Sequence, residues 1–125
     1  MSSLASEIER TIRAKSVCVT DETITVKLED GRAVSVPTKW YPRLKYATPA
    51  ERANYEIDGY GVTWPDVEAD FSIRGILLGH KSGESPASLK FWLDQRKKGR
   101  RAMFEDYLKH RRLPQSRTKR TTRRR

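Results

Sequence analysis

Cysteine is almost missing from this chain of 125 residues, in which Cys18 stands alone. A single thiol excludes an internal disulfide and any multi-cysteine metal site. Long hydrophobic runs are missing too. Nothing approaches the roughly 18–20 consecutive apolar residues of a membrane span. The opening Met1-Ser2-Ser3-Leu4-Ala5-Ser6-Glu7 has no secretory signal pattern. These absences lead to the expectation of a soluble cytoplasmic protein with no membrane partner. There is no Gly-x-Ser-x-Gly elbow and no phosphate-cradling glycine loop, so an enzyme is not expected. Zinc fingers, RNA-recognition motifs, leucine zippers and internal repeats are likewise lacking.

The most telling scarcity is of acid after residue 79. Residues 80–125 hold 4 Asp+Glu against 16 Lys+Arg, a net of +12, whereas residues 1–79 hold 12 against 10, a net of −2. From Gln115 onward no apolar residue occurs, and the chain closes on Arg123-Arg124-Arg125. Such a segment cannot build a core, and its natural partners are polyanions. Three parts follow: an α+β domain over 1–79, a basic helical extension over 80–114, and an Arg-rich tail over 115–125.

In the first part, Leu4, Ile8 and Ile12 predict a short helix over 3–14. The period then changes to two. Val17 and Val19, then Ile24, Val26 and Leu28, then Val34 and Val36 predict three strands of a small antiparallel sheet. Cys18, between two such valines, is expected to be a small, partly buried residue. Parity decides the second turn. A two-residue Asp30-Gly31 loop would set Val34 opposite Lys27. A three-residue Glu29-Asp30-Gly31 loop with Gly31 left-handed sets Val34 opposite Val26 and Val36 opposite Ile24, which keeps the apolar side chains on one face. Thr48-Pro49-Ala50-Glu51 predicts a capped helix start, and Val62-Thr63-Trp64 a brief strand. In the extension, Ser85-Pro86 starts a helix carrying Leu89, Trp92 and Leu93, Gly99 breaks it, and Met103, Phe104, Tyr107 and Leu108 resume the apolar face.

The run Pro37-Thr38-Lys39-Trp40-Tyr41-Pro42-Arg43-Leu44, then Ala47-Thr48-Pro49-Ala50-Glu51-Arg52, is distinctive. So is Gly61-Val62-Thr63-Trp64-Pro65-Asp66 running on to Asp70 and Gly75-Ile76-Leu77. Together with the Glu29–Arg32 hairpin, these resemble the small bacterial family known as domain of unknown function 2442, over about residues 15–79. The resemblance implies a compact α+β fold and, because many members are encoded beside a second small protein in toxin–antitoxin-like pairs, a non-catalytic protein-binding role. Thr63 stands where members commonly carry His, and the Asp66–Asp70 run is less acidic than theirs. The extension from His80 lies outside the resemblance.

Three constellations are candidates for function. Trp40, Tyr41 and Arg43 are aromatic and arginine residues of the kind that anchor protein interfaces, held stiff by flanking prolines; alternatively the rings cover the sheet and Arg43 pairs with a nearby carboxylate. Asp66, Glu68 and Asp70 at alternate positions would suit Mg²⁺ or Mn²⁺ if they shared a strand face, but Pro65 favours an acidic loop, and no metal or cofactor is expected. The basic extension carries the strongest signal. Lys90, Arg96, Lys97, Lys98, Arg100, Arg101, Lys109, Arg111 and Arg112 are expected to contact phosphates. Arg117, Lys119, Arg120, Arg123, Arg124 and Arg125 add an arginine-dominated tail suited to bidentate contact. The cations of the extension surround Phe91, Trp92, Phe104 and Tyr107, and any of these rings not used in packing could stack on unpaired bases. Leu89, Trp92, Leu93, Met103 and Leu108 are expected to pack as a helical-hairpin core.

The expected function is a non-catalytic nucleic-acid-binding protein, DNA or RNA, that also docks a protein partner. It would act as an antitoxin-like protein beside a cognate toxin or as an accessory subunit of a larger nucleoprotein complex. The alternatives are a pure protein–protein module whose tail meets an acidic surface and, as a minor one, a metal-dependent hydrolase built on Asp66, Glu68 and Asp70.

Overall fold

The computed structural model describes residues 12–112. The chain divides between Gly83 and Glu84 into two compact units. The first is α+β. Strands β1 (Ala14–Val19), β2 (Thr23–Leu28) and β3 (Ala33–Pro37) form an antiparallel meander in that order. Val26 pairs with Val34 and Ile24 with Val36, the register that parity requires. The turn closes through Leu28 N–H donating to Arg32 O at 2.8 Å, with Gly31 at φ +97°. A residue with Cβ is strained at that angle, and glycine is not. Asp30 and Arg32 form an exposed ion pair there, and the hydrogen bond from the Arg32 side chain is the main cause holding the Asp30 carboxyl below its usual value.

The strand β1 begins earlier than the helix expected over 3–14 allows. Arg13 O accepts from Glu29 N at 2.8 Å, which ties residue 13 to the hairpin, and Ala14 is already extended. The rest of that expected helix, with Leu4 and Ile8, lies outside the described residues. Cys18 is exposed rather than partly buried, because it faces away from the apolar side of the meander.

After β3 come a 3-10 turn (Thr38–Trp40), α1 (Pro42–Lys45) and α2 (Pro49–Ala53). The α2 start is the capping box read from sequence: Thr48 Oγ1 accepts from Glu51 N at 3.1 Å, and Glu51 Oε1 from Thr48 N at 2.8 Å. A second antiparallel sheet then forms from β4 (Glu56–Ile57), β5 (Gly61–Trp64) and β6 (Ala69–Ser72), followed by α3 (Ile73–Leu77). The expected single sheet is thus two three-stranded sheets. The β1 strand touches β4 and α2, and its outward-facing Val17 N–H donates to the Tyr55 hydroxyl at 3.2 Å.

The core of this unit lies between the sheets and short helices. Ile24, Val26, Leu44, Val62, Trp64, Val67 and Ile73 are all essentially inaccessible. Trp64 stacks obliquely on Phe71 at 5.3 Å and Phe71 on Tyr41 at 5.2 Å, while the Trp64 indole N–H donates to Arg52 O. Arg52 also closes α1, donating to Leu44 O and Lys45 O. A helix of four residues leaves its last carbonyls without internal partners, so this guanidinium takes the place of a further turn.

The second unit holds α4 (Pro86–Lys97) and α5 (Phe104–Arg112), the helix broken at Gly99 as read from sequence. Residues 80–83 remain with the first unit, where His80 O accepts from the Tyr41 hydroxyl at 2.7 Å and Ser82 N donates to Trp40 O at 3.0 Å. No helix among the described residues is long and apolar enough to cross a membrane.

Candidate nucleic-acid interface

Residues 84–112 carry nine Lys+Arg against four Asp+Glu, and local hydrogen bonds determine where these charges stand. Ser85 caps α4, its Oγ accepting from Ser88 N at 3.1 Å, with Pro86 in the first turn. Ser88 is buried and donates from its hydroxyl to Glu84 at 2.7 Å. Lys90 pairs with Asp94 at 3.0 Å one turn on, and this hydrogen bond is the main cause holding the Asp94 carboxyl below its usual value. Lys90 is thus engaged within its own helix. Trp92 is buried, with the Arg96 guanidinium 4.6 Å from its ring centroid.

At the end of α4 the backbone turns sharply. Gly99 N donates to Arg96 O at 3.0 Å and Arg100 N to Gln95 O at 2.9 Å, while Gly99 has φ +72°. This is the glycine-closed helix end in which two amides return to the last turn. It sets Arg96, Lys97, Lys98, Arg100 and Arg101 on one tight corner, and all but Arg96 are exposed. The α5 helix then starts with Asp106 accepting from Met103 N at 2.8 Å. Lys109 and Arg111 are exposed on it, and the Arg111 guanidinium lies 5.9 Å from the Tyr107 ring centroid. Arg112 ends α5. Arg117, Lys119, Arg120, Arg123, Arg124 and Arg125 lie outside the described residues.

The aromatics divide between packing and exposure. Tyr107 is buried, but Phe104 is 45% exposed. His110, which the sequence reading left unassigned, stacks against Phe91 at 4.9 Å. Helical spacing groups Phe104 with Tyr107, but it cannot tell which ring turns outward.

In the first unit the candidate partner anchors need correction. Arg43 is only 6% exposed, donating to Val67 O at 3.0 Å with Glu68 at 3.7 Å. Tyr41 is 6% exposed, and burial, with a smaller contribution from Asp70, pushes its phenol above the usual value. Neither is an exposed anchor, because the second sheet covers a face that the sequence reading left open. Trp40 is half-buried, with the Lys81 ammonium 5.2 Å from its ring. The apolar exposure lies elsewhere, on Tyr46, Tyr60, Leu77 and Leu78.

The three carboxylates do not share a strand face. Asp66 and Glu68 sit in the turn between β5 and β6, and only Asp70 is in β6. Asp66 accepts from the Asn54 amide at 2.9 Å, and Glu68, at φ +53°, aims at Arg43. Among the described residues no group of three or more His, Cys, Asp or Glu could hold a metal ion.

With this geometry in view, known proteins give a family and a fold. The model of the family described as "Protein of unknown function (DUF2442)" matches residues 14–82. A crystal structure of a protein of unknown function from Rhodospirillum rubrum is 25% identical, with a TM-score of 0.50, covering 58% of this chain and 93% of its own. The solution structure of an uncharacterised protein from Chromobacterium violaceum is 24% identical, with a TM-score of 0.52, covering 76% of this chain and 86% of its own. No curated protein matches.

Proposed function

The chain belongs to the DUF2442 family, and from that premise we propose that it is a non-catalytic, cytoplasmic nucleic-acid-binding protein whose family domain docks a protein partner. It acts as an antitoxin-like component or as an accessory subunit of a nucleic-acid-processing complex. The observation that carries this reading is the corner at Gly99. Lys97, Lys98, Arg100 and Arg101 are exposed within five residues, on a backbone turn fixed by its own hydrogen bonds. Cations that end a helix also complement its dipole, but that effect is confined to the last turn. Arg100 and Arg101 lie beyond it, and the tail adds six more cations without a carboxylate. Each phosphate contact releases counterions and strengthens binding independently of base sequence. For the protein partner, Leu77 and Leu78, 48% and 61% exposed at the end of α3, supply apolar surface on the family domain.

Titration of full-length protein and of a truncation lacking residues 115–125 on duplex DNA, at several salt concentrations, tests the reading. Six tail contacts at ~0.9 each steepen the dependence of log K on log salt by about 5. The truncation flattens the slope by up to that amount and weakens unrelated sequences alike, while the Gly99 corner retains residual affinity. An unchanged slope would move the tail's partner to an acidic protein surface, and no binding by the intact protein would remove the nucleic-acid reading.

A further inference from the structure

The second unit carries a row of rings that runs across both helices. His110 lies 4.9 Å from Phe91, Phe91 lies 5.8 Å from Tyr107, and Tyr107 lies 5.8 Å from Phe104. The middle of this row is buried, Tyr107 being 7% exposed. Its two ends keep ring contacts but reach the surface: Phe104 is 45% exposed and His110 is exposed. Cations lie near both ends in the chain. Arg100 and Arg101 stand four and three residues before Phe104, in the turn that leads into α5, and Lys109 and Arg111 bracket His110. A lone exposed phenylalanine is ordinary. One that continues a row of ring contacts, with two exposed arginines shortly before it and Glu105 and Asp106 after it, pairs a base-sized apolar face with cations on one side, the combination that holds a phosphate chain and its bases together. In a duplex the base faces are covered by their neighbours, so a ring on a protein surface can stack only on unpaired bases.

We propose that Phe104 is a stacking platform for unpaired nucleobases, with His110 at the other end of the row, so that the unit's preferred ligand is single-stranded nucleic acid. This rests on the nucleic-acid reading above and adds the class of ligand. The phosphates meet the arginines and lysines, and the bases meet the rings. Affinity for a single strand therefore has a part that depends on the bases being present, which phosphate contact alone does not produce.

The test uses the full-length chain and labelled oligonucleotides of one length, followed by fluorescence anisotropy at fixed salt. The ligands are single-stranded DNA, single-stranded RNA, an abasic strand with the same backbone, and the duplex. Wild type is expected to bind the base-bearing single strands about tenfold more tightly than the abasic strand, a ratio typical of one stacked base. Phe104→Ala loses about that factor on base-bearing single strands and nothing on the abasic strand or duplex. Phe104→Leu, which keeps apolar bulk but has no ring, weakens in the same way, and Phe104→Trp retains the affinity. Should the alanine variant lose helix content by circular dichroism, the leucine and tryptophan pair decides alone. Equal affinity of wild type for base-bearing and abasic strands would overturn the stacking role while leaving the phosphate reading intact. So would a Phe104→Leu variant that matches Phe104→Trp. Failure of wild type to bind any of the four would overturn both.

Discussion

Arg43 donates to Val67 O at 3.0 Å from a side chain that is 8% exposed, and Val67 itself is 1% exposed. Removing the guanidinium leaves that carbonyl buried without this donor and opens a space where the arginine stem packed. Arg43→Ala is therefore expected to destabilise the protein by roughly 2–3 kcal/mol, measured by urea unfolding followed by far-UV circular dichroism. Loss of less than ~0.5 kcal/mol would place the side chain in water. Most of that cost belongs to the carbonyl, because Glu68 is one-third exposed and its 3.7 Å ion pair is screened. The difference between Arg43 and Thr48 shows what the sequence can disclose at this scale. The partner of Thr48 is three residues away, so the capping box was legible in four letters. The partner of Arg43 is 24 residues away on a turn that exists only once the second sheet has formed.

The β2–β3 hairpin was legible as an element because its sequence separation is short and its alternation is strict. A Cβ added to Gly31 would have nothing within 4 Å, so an alanine there meets no steric obstacle beyond its own backbone at φ +97°. Gly31→Ala should cost about 1–2 kcal/mol, read from thermal unfolding, with register and function retained. Deleting Glu29 is a different perturbation. It shortens the turn by one residue and sends Val34 and Val36 to the polar face. The loss of their burial, at ~1.5–3 kcal/mol for a fully buried side chain, makes that variant much less stable than Gly31→Ala. Equal stability of the two variants would show that the turn, rather than the alternation, sets the register. The elements that escaped the sequence reading are the short ones. The β4 strand has two residues and α1 has four, too few to show a pattern in sequence, so only tertiary contact defines them. With β4 unseen, the second sheet could not be told from loop, and Tyr41 and Arg43 kept an exposure that they do not have.

Across the whole molecule, charge and contact divide the chain at nearly the same place. The net of −2 belongs to residues 1–79, the family match ends at 82, and the structural division falls after Gly83. Residues 1–83 are expected to unfold as one cooperative unit when expressed alone, and to bind nucleic acid at least tenfold more weakly than the full chain at moderate salt. Retention of full affinity by this fragment would break the link between the charge partition and binding. The partition was legible because charge is additive along a chain and needs no fold to be counted. Which of the second unit's rings reaches the surface was not, since the same spacing of Phe104 and Tyr107 suits a ring that packs and a ring that faces water.

The hydroxyl of Tyr55 on the Val17 amide has a consequence for how copies of this protein meet. That amide faces outward from β1, along the edge where a strand from another molecule would pair. Along the opposite edge, Thr38 N donates across the hairpin to Glu22 O and Arg32 O accepts across it from Leu28 N. The alternation of an antiparallel ladder then points the nitrogen of Pro37 outward, where proline offers no donor. One border of the meander is occupied by a phenol and the other ends on a blank. At these two positions a strand from another molecule finds no free amide to pair with, which weakens each border as a template for intermolecular strand pairing.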